Sequence, residues 1–238
     1  MITIDKLTVQ FGGVNALNEV CLELRAPVVG IIGPNGAGKT TLLNAFSGFV
    51  APSGASRIAA EGVELLTMTP AARARWGVRR SFQSEQVVDD LSVGENVQVM
   101  LDSSDLSRAE RAAALHRALA FVGLLDQRDR PGGSLDAFER RLVELARAVA
   151  GRPRIVLLDE PGGGLSGSEV ERLRDVIGRI HAEFDAITLL IDHDVTLIAA
   201  VCVETVVLDF GTLIAHGPTA QVLADARVRS AYLGEEGA

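Results

Sequence analysis

The stretch from Gly33 to Thr41 constrains the fold more than any other part of this chain. It reads Gly-Pro-Asn-Gly-Ala-Gly-Lys-Thr-Thr, follows the apolar run Val28–Ile32 and precedes the helix-forming segment Leu42–Phe46. This spacing, between a buried strand and a helix, is typical of a phosphate-binding loop. Glycines let the backbone close around an anion, and the N–H groups at the helix start then face the phosphates. The pattern predicts a nucleoside triphosphate site.

The loop also predicts individual roles. Lys39 is expected to reach the β- and γ-phosphates, and the Thr40 hydroxyl is expected to hold Mg²⁺. The predicted nucleotide-binding residues of the loop are Asn35, Gly36, Ala37, Gly38, Lys39, Thr40 and Thr41.

Composition excludes several classes of function. The 238 residues include 31 acidic and 23 basic side chains, a net charge of −8, which argues against nucleic acid as the main partner. No apolar run approaches the roughly 18 residues of a membrane span, and Met1–Asp5 lacks the basic, apolar start of a signal peptide. Cys21 and Cys202 lack metal-ligand spacing and are predicted to be reduced thiols in the core of a cytosolic protein.

The N-terminal segments alternate between apolar and polar residues, which predicts antiparallel strands with one wet face. Further on, apolar runs alternate with helical patterns, which predicts a mostly parallel sheet that binds ligands at the carboxyl ends of its strands. The predicted strands include Ile2–Ile4, Leu7–Val9, Val20–Leu24, Arg57–Ala60, Gly62–Leu65, Ile187–Ile191 and a hairpin over residues 206–215.

A helical region interrupts this α/β pattern. The spacing predicts a helix over Ser107–Val122 and an amphipathic helix that begins at Glu139. Ser168–Glu171 has the spacing of a capping box, and Gln221–Tyr232 is expected to form a closing helix. We therefore predict one domain over residues 1–238, with a core and β-layer at 1–83 and 140–238 and a helical subdomain at 84–139.

A second chemical motif lies at the end of an apolar strand, Ile155–Leu158, which leads into Asp159 and Glu160. An Asp in this place holds Mg²⁺ in phosphate-loop enzymes, and a following carboxylate is able to orient a water against the γ-phosphate. The alternative is an ordinary polar strand exit.

Together these motifs resemble the nucleotide-binding subunit of ABC transporters, over nearly the whole chain. The resemblance implies an α/β fold: a P-loop NTPase core, RecA-like, with a mostly parallel sheet, an N-terminal antiparallel β-layer and an inserted α-helical subdomain. It also implies ATP and Mg²⁺ as cofactors. Phe11 matches the aromatic that stacks on adenine, and Gln83 the glutamine that touches Mg²⁺ or water. His193 matches the histidine at the γ-phosphate, Ser166 stands where Asp is commoner, and Glu160 is the expected catalytic carboxylate.

Within that family the chain resembles the ATPases of branched-chain amino-acid importers. The likeness rests on residues 11–20, 191–194, 207–211 and 231–236. It implies an ATPase on the cytoplasmic, inner face of the plasma membrane that serves permease subunits and, indirectly, a solute-binding protein. A second, different ATPase subunit is the expected partner, with a homodimer as the alternative. Importers of urea and short amides share much of this pattern, so they remain an alternative.

One motif departs from the family. Leu135-Asp136-Ala137-Phe138-Glu139 stands where Leu-Ser-Gly-Gly-Gln is expected, so Asp136 adds a negative charge and Phe138 adds bulk. In the family this motif presents a hydroxyl and backbone N–H groups to the γ-phosphate of the opposite subunit. Asp136 with Glu139 also has the spacing of a helix cap. A nucleotide-gated regulatory subunit with weak hydrolysis is therefore a second hypothesis. A GTPase or small-molecule kinase is a third, but no Asn-Lys-x-Asp guanine motif is present.

Overall fold

Short strands and helices alternate along residues 1–230, the part of the chain that the structure, a computed structural model, describes. The strands are β1 (Ile2–Phe11), β2 (Val14–Leu24), β3 (Val28–Ile32), β4 (Arg57–Ala60), β5 (Val63–Glu64), β6 (Val78–Arg80), β7 (Ile155–Asp159), β8 (Ile187–Ile191), β9 (Glu204–Asp209) and β10 (Thr212–Pro218).

The helices occupy the segments between these strands. They are α1 (Lys39–Ser47), α2 (Pro70–Trp76), α3 (Val93–Asp102), α4 (Arg108–Val122), α5 (Ala137–Val149), α6 (Gly167–Phe184), α7 (Val195–Val201), α8 (Thr219–Ala224) and α9 (Ala226–Val228). Short 3₁₀ turns lie at Leu65–Thr67, Leu125–Gln127 and Gly132–Ser134.

The chain forms two compact units. The first unit comprises residues 1–74 and the chain from 189 onward, and the second unit comprises residues 75–188. The sequence predicts a helical subdomain at residues 84–139, and these limits remain a prediction. Helices α3 and α4 of the second unit lie within that range.

The first unit contains an antiparallel sheet in the order β2-β1-β4-β5. Apolar side chains alternate along β1, so Ile2, Ile4 and Leu7 are buried while intervening residues face outward. The predicted segments Ile2–Ile4 and Leu7–Val9 form this one strand. The register shifts between Ile4 and Leu7, next to the positive φ of Lys6 (47°), so a local irregularity rather than a turn separates them.

The first unit also contains the strands that carry the phosphate loop. β3 is buried along its whole length and pairs in parallel with β9, with Ile31 opposite Val206. β10 pairs antiparallel with β9 through the turn after Asp209, as the predicted hairpin requires. Because β3 ends at Ile32 and α1 begins at Lys39, the loop bridges a buried strand and a helix start.

The second unit places β6 parallel to β7, with Val78 opposite Ile155. The apolar face of α5, which includes Leu142, Leu145 and Val149, is buried. The α/β class and the parallel strand pairings predicted from the sequence are confirmed. Both α3 and α4 begin with a serine and a glutamate that cap each other reciprocally.

Several predicted boundaries were wrong. Helix α5 begins at Ala137 instead of Glu139, because Asp136 caps it. Helix α6 begins at Gly167, and Ser166 with Glu169, in place of Ser168, forms the reciprocal cap. The closing helix is broken at Asp225 into α8 and α9, and Tyr232 lies outside the described residues, as does the segment 231–236.

The sequence analysis also missed two helices and predicted the wrong environment for one cysteine. It did not predict α2 or α7. Cys202 is buried as expected, but Cys21 is exposed, since it lies between the inward-facing Val20 and Leu22 of β2. Among the described residues, no helix has the length and apolar character that a membrane crossing requires.

Candidate nucleotide site

The phosphate loop depends on glycine at two tightly packed positions. Gly33 has a φ of 147°, and a Cβ there would lie 2.0 Å from the carbonyl oxygen of Leu208. Gly38 has a φ of 101°, and its Cβ would lie 2.5 Å from the carbonyl oxygen of Ala16. Both the backbone conformation and the packing therefore exclude a side chain. Strands β9 and β2, which carry these two carbonyl groups, therefore pack closely against the loop.

The middle of the loop faces open space instead. Gly36 has a φ of 80°, and a Cβ there would meet no atom within 4 Å. Asn35, Gly36 and Thr40 are exposed, whereas Ala37 is buried and accepts a hydrogen bond from the Gly211 N–H at 3.1 Å. One side of the loop is thus anchored, and the other presents backbone to solvent.

Lys39 and the start of α1 supply positive charge to this loop. The Lys39 side chain is buried, and its Nζ donates to the carbonyl oxygens of Gly33 at 2.7 Å and Pro34 at 2.9 Å. No side chain caps α1, and its first turn contains no acidic residue. Because the N–H groups and the helix dipole both favour an anion there, the local structure is suited to bind phosphate. Thr41, half-buried, lies in the same turn.

Phe11 lies at the end of β1, opposite Val14 across the turn at residues 12–13. Both side chains are largely exposed, at 54% for Phe11 and 70% for Val14. An exposed aromatic ring on a hairpin offers a flat apolar surface of the kind that stacks on a base.

His193 lies between two carboxylates that fix the backbone after β8. The Asp192 carboxylate accepts the Asp194 N–H at 2.9 Å, and the Asp194 carboxylate accepts the Thr196 N–H at 2.7 Å as the cap of α7. The His193 side chain is exposed. The loop thus holds the imidazole at the carboxyl end of β8.

In the second unit, Asp159 ends β7 and is 1% exposed. Its Oδ2 accepts a hydrogen bond from the Arg80 guanidinium at 2.8 Å, and both side chains of this ion pair are buried. Its Oδ1 has no hydrogen-bond partner among residues 1–230. A buried carboxylate oxygen with spare acceptor capacity fits a hard cation such as Mg²⁺, which prefers oxygen ligands.

Sequence reasoning missed two residues that support Asp159, namely Arg80 at the end of β6 and Ser81 directly after it. Besides the Arg80 ion pair, the Ser81 hydroxyl accepts the backbone N–H of Asp159 at 3.4 Å. The guanidinium of Arg80 also lies 5.0 Å from the ring centre of Phe82. Arg80 and Ser81 lie close to Gln83 in the sequence, and this was the one available sign of a role at the site. Contacts between residues nearly eighty positions apart leave no local pattern in the sequence.

Glu160 and Gln83, both predicted from the sequence, lie together in the second unit. Gln83 Nε2 donates to Glu160 Oε2 at 2.8 Å. Glu160 has a φ of 52°, in the left-handed region that a residue with a side chain rarely adopts. Backbone strain of this kind costs about 1–3 kcal/mol and is commonly retained at functional sites. The amide and the carboxylate form a pair that is able to hold and orient a water.

The start of α5, at the departing motif, is capped by its own side chains. Asp136 Oδ1 accepts the Glu139 N–H at 2.8 Å, and Glu139 Oε2 accepts the Asp136 N–H at 3.1 Å. Arg130 pairs with Glu139 at 2.7 Å, and this hydrogen-bonded guanidinium lowers the pKa of the Glu139 carboxyl. Two carboxylates thus occupy the positive end of this helix.

The bulk that Phe138 adds to the motif does not lie at the surface of the second unit. The Phe138 side chain is 4% exposed, and the Arg172 guanidinium of α6 lies 4.5 Å from its ring centre. The ring of Phe138 is therefore buried within the second unit. Of the two changes from the family motif, only the negative charge of Asp136 lies at the surface.

Ser166, in the segment before α6, is engaged with the helix that follows. Its hydroxyl donates to Glu169 Oε2 at 2.6 Å, and its backbone N–H donates to the same oxygen at 2.7 Å. These bonds to Ser166 lower the pKa of the Glu169 carboxyl. The segment is thus fixed by a helix cap at Ser166 and Glu169, two residues before the cap that the sequence predicted at Ser168–Glu171.

Comparison with known proteins identifies the family. Residues 17–163 match the family described as ABC transporter, and residues 212–238 match the family described as branched-chain amino acid ATP-binding cassette transporter. This chain belongs to the ATP-binding subunits of ABC transporters. It is an ATP-binding, ATP-hydrolysing subunit of a transport system, and such subunits dimerise and work with membrane permeases.

Curated relatives match along the whole chain. It is 34% identical to the high-affinity branched-chain amino acid transport ATP-binding protein BraF of Pseudomonas aeruginosa, over 99% of this chain and 98% of that protein. It is 33% identical, with the same coverage, to the corresponding protein LivG of Escherichia coli. The lipopolysaccharide export system ATP-binding protein LptB of Escherichia coli is also 33% identical, with the same coverage.

Two solved structures support the same family. The ADP conformation of an ATP-binding cassette of an ABC transporter superposes with a TM-score of 0.85 and 26% identity, over 99% of both chains. A nucleotide-free cassette superposes with a TM-score of 0.83 and 26% identity, with the same coverage.

Proposed function

We propose that this subunit powers import of branched-chain amino acids or of a related small polar solute. The observation that carries the proposal is the match of residues 212–238 to the branched-chain family, supported by the names of BraF and LivG. This chain is about as similar to LptB, which is named as part of an export system, so the experiment must distinguish import from export.

Solute uptake in sealed vesicles tests this assignment. Vesicles that contain the permease, this chain and the second ATPase subunit, with the solute-binding protein outside, should take up labelled leucine when ATP is supplied inside, and a Lys39→Ala subunit should abolish the uptake. Uptake of urea in place of leucine would move the assignment to the amide branch. ATP-dependent loss of a preloaded lipid would overturn import.

We propose that the phosphate loop binds ATP through Asn35–Thr41, that Phe11 stacks on adenine and that His193 contacts the γ-phosphate. Bound Mg²⁺ neutralises charge on the β- and γ-phosphates. The proposed oxygen ligands for the ion are the hydroxyl of Thr40, the amide oxygen of Gln83 and the carboxylate of Asp159. Support comes from the spare acceptor of Asp159 and from the exposed Thr40 side chain.

We propose that Glu160 accepts a hydrogen bond from the attacking water, while Gln83 limits the orientations that its carboxylate adopts. The 2.8 Å contact between the two side chains supports this role. In this proposal the carboxylate orients the water and receives its proton as the water oxygen bonds to the γ-phosphorus and the bond from that phosphorus to the bridging oxygen breaks, which releases ADP.

The Glu160→Gln variant tests this role, because it retains size and hydrogen bonding but removes the charge. We expect ATP binding within about twofold of the unchanged chain, hydrolysis slowed by roughly 10²-fold or more, and accumulation of an ATP-bound dimer. Glu183→Gln is the matched control, since Glu183 is an exposed carboxylate of the same unit paired with Arg117. Equal turnover by the Glu160 variant and its control would remove Glu160 from this role.

The proposed partners are permease subunits, a second and different ATPase subunit, and indirectly a solute-binding protein. The proposed location is the inner face of the plasma membrane, where permease and cytoplasmic ATP meet. A homodimer is the alternative, and sizing of the purified chain with ATP, alone and with the second subunit, separates the two.

A second candidate function is a subunit that binds ATP and hydrolyses it weakly. The self-capped start of α5 favours it, because Asp136 and Glu139 already occupy the N–H groups at the positive end of that helix. If the family arrangement holds, an opposing γ-phosphate would meet carboxylates there instead of bare N–H groups. Phosphate release by this chain alone is then expected to be slow.

A further inference from the structure

A cleft between α3 and α4 collects arginines that have no acidic partner. Its volume is about 430 Å³, and its lining includes Arg108 and Arg111 of α4 and Arg128 from the segment after α4. Among residues 1–230, the side chains of these three arginines form no hydrogen bond, ion pair or aromatic contact. Other arginines of this unit, such as Arg117, Arg140 and Arg152, do pair with carboxylates. Positive charge is therefore concentrated in this cleft.

Helical spacing explains why the side chains converge. Arg108, Arg111 and Leu115 follow the i, i+3, i+7 pattern that places side chains on one face of a helix. Leu115 is 3% exposed and forms the apolar part of the lining. The two arginines therefore stand above a buried leucine on the face of α4 that lines the cleft.

Arg128 is held against the opposite wall. Its carbonyl oxygen accepts the Gly94 N–H at 2.8 Å. A Cβ at Gly94 would lie 2.8 Å from Arg128 Cγ and 3.2 Å from its Nε, so the side chain crosses the first turn of α3. The acidic residue of the lining, Asp102, accepts a hydrogen bond from Gln98 at 2.8 Å. Three positive charges against one carboxylate leave the cleft with a net positive charge.

The placement of these charges is unfavourable without an anion. Arg108 and Arg111 lie in the first turns of α4, where the helix dipole disfavours positive charge. The three guanidinium groups also repel one another across the cleft. A multiply charged anion would relieve both effects, because guanidinium groups bind phosphate oxygens through paired N–H donors.

We propose that this cleft is a second anion site, distinct from the nucleotide loop, that binds a small phosphate-bearing group such as a diphosphate or a phosphorylated headgroup. Its volume lies within the range of small-molecule sites, about 300–1,000 Å³. No aromatic residue lines it, so it has no platform for a nucleobase. Recognition is by charge and by the geometry of the arginine donors.

Calorimetric titration of the full chain with inorganic pyrophosphate tests the site, with excess ADP present to fill the nucleotide loop. We expect saturable binding of one pyrophosphate per chain, and at least a tenfold loss of affinity in the triple variant Arg108→Gln, Arg111→Gln, Arg128→Gln. Arg111→Lys keeps the charge but loses the paired donors, so its affinity should lie between the two.

The matched control removes the same charge elsewhere, through Arg25→Gln, Arg57→Gln and Arg227→Gln. These side chains are 71%, 67% and 72% exposed and form surface ion pairs in the first unit. We expect the control to bind pyrophosphate within twofold of the unchanged chain. Equal losses in both triple variants, or no saturable binding by the unchanged chain, would overturn the site.

Sedimentation with vesicles identifies the source of the phosphate. Phosphatidylglycerol vesicles are compared with neutral phosphatidylcholine vesicles, with the same three proteins. If the cleft variant alone loses vesicle binding, the anion is a lipid headgroup; if vesicle binding is equal and pyrophosphate binding falls, it is a free phosphate compound. Equal behaviour of all three proteins in both assays would refute the proposal.

Discussion

The self-capped start of α5 leads to a prediction that differs from a simple restoration of the family motif. Replacing the whole motif would include Phe138→Gly. Because Phe138 is 4% exposed and lies against Arg172, removing its ring would cost about 3–5 kcal/mol through lost apolar burial and the cavity left behind. A loss of activity in such a variant would reflect unfolding. The informative variant is Asp136→Ser with Glu139→Gln.

The cost of this double variant is small. Serine and glutamine preserve both reciprocal hydrogen bonds of the cap, since a Ser-x-x-Gln sequence forms the same box. What is lost is the ion pair between Arg130 and Glu139, whose side chains are 38% and 20% exposed. A partly exposed pair of this kind contributes about 0.5–1 kcal/mol. The melting temperature should fall by roughly 1–4 °C.

The gain comes from charge. Arg130, Asp136 and Glu139 together carry −1, from one positive and two negative groups, and the double variant changes this to +1. Each unit charge about 8 Å from a phosphate charge interacts by about 2 kcal/mol at an effective dielectric of 20, so the two-unit change amounts to about 4 kcal/mol before screening. Screening by water reduces this value, so we expect roughly a tenfold gain, equivalent to about 1.4 kcal/mol.

The assay is steady-state phosphate release by the purified chain at saturating ATP, with dimer formation measured by sizing. Glu110→Gln is the matched control, because Glu110 caps α4 through Ser107 in the same way. If the double variant melts within the expected range and its activity equals that of the unchanged chain, the charge at α5 does not limit hydrolysis.

Three further predictions follow from single contacts. Lys39→Ala should abolish ATP binding, measured with a fluorescent nucleotide, and near-normal binding would remove the phosphate-loop assignment. Arg80→Met should lower stability by about 3–5 kcal/mol, since it leaves Asp159 buried without a counter-ion, and Asp159→Asn in the same chain should recover most of the loss in melting temperature. Burial raises the pKa of the Cys202 thiol to about 12, so at pH 8 only Cys21 should react with iodoacetamide until the protein unfolds; rapid modification of Cys202 in the folded chain would contradict this.

The sequence predicted the features that depend on neighbouring residues. The phosphate loop, the strand before it and the reciprocal cap of Asp136 with Glu139 follow from spacings of a few positions, because short-range geometry decides them. The exposure of Cys21 could also have been predicted from the sequence, since side chains alternate along a strand and both neighbours of Cys21 are apolar. Ser166 and Ser168 are both suitable caps, so spacing alone did not decide between them.

Only the tertiary structure determined the contacts between distant segments. The Arg80–Asp159 ion pair and the Gln83–Glu160 hydrogen bond join residues 79 and 77 positions apart. The inward direction of Phe138 depends on α6, which supplies Arg172 beside its ring. The arginine cleft likewise needs α3 against α4 before its charges meet. Sequence spacing fixes which residues share a strand or a helix face, whereas their partners depend on the packing of elements that are far apart along the chain.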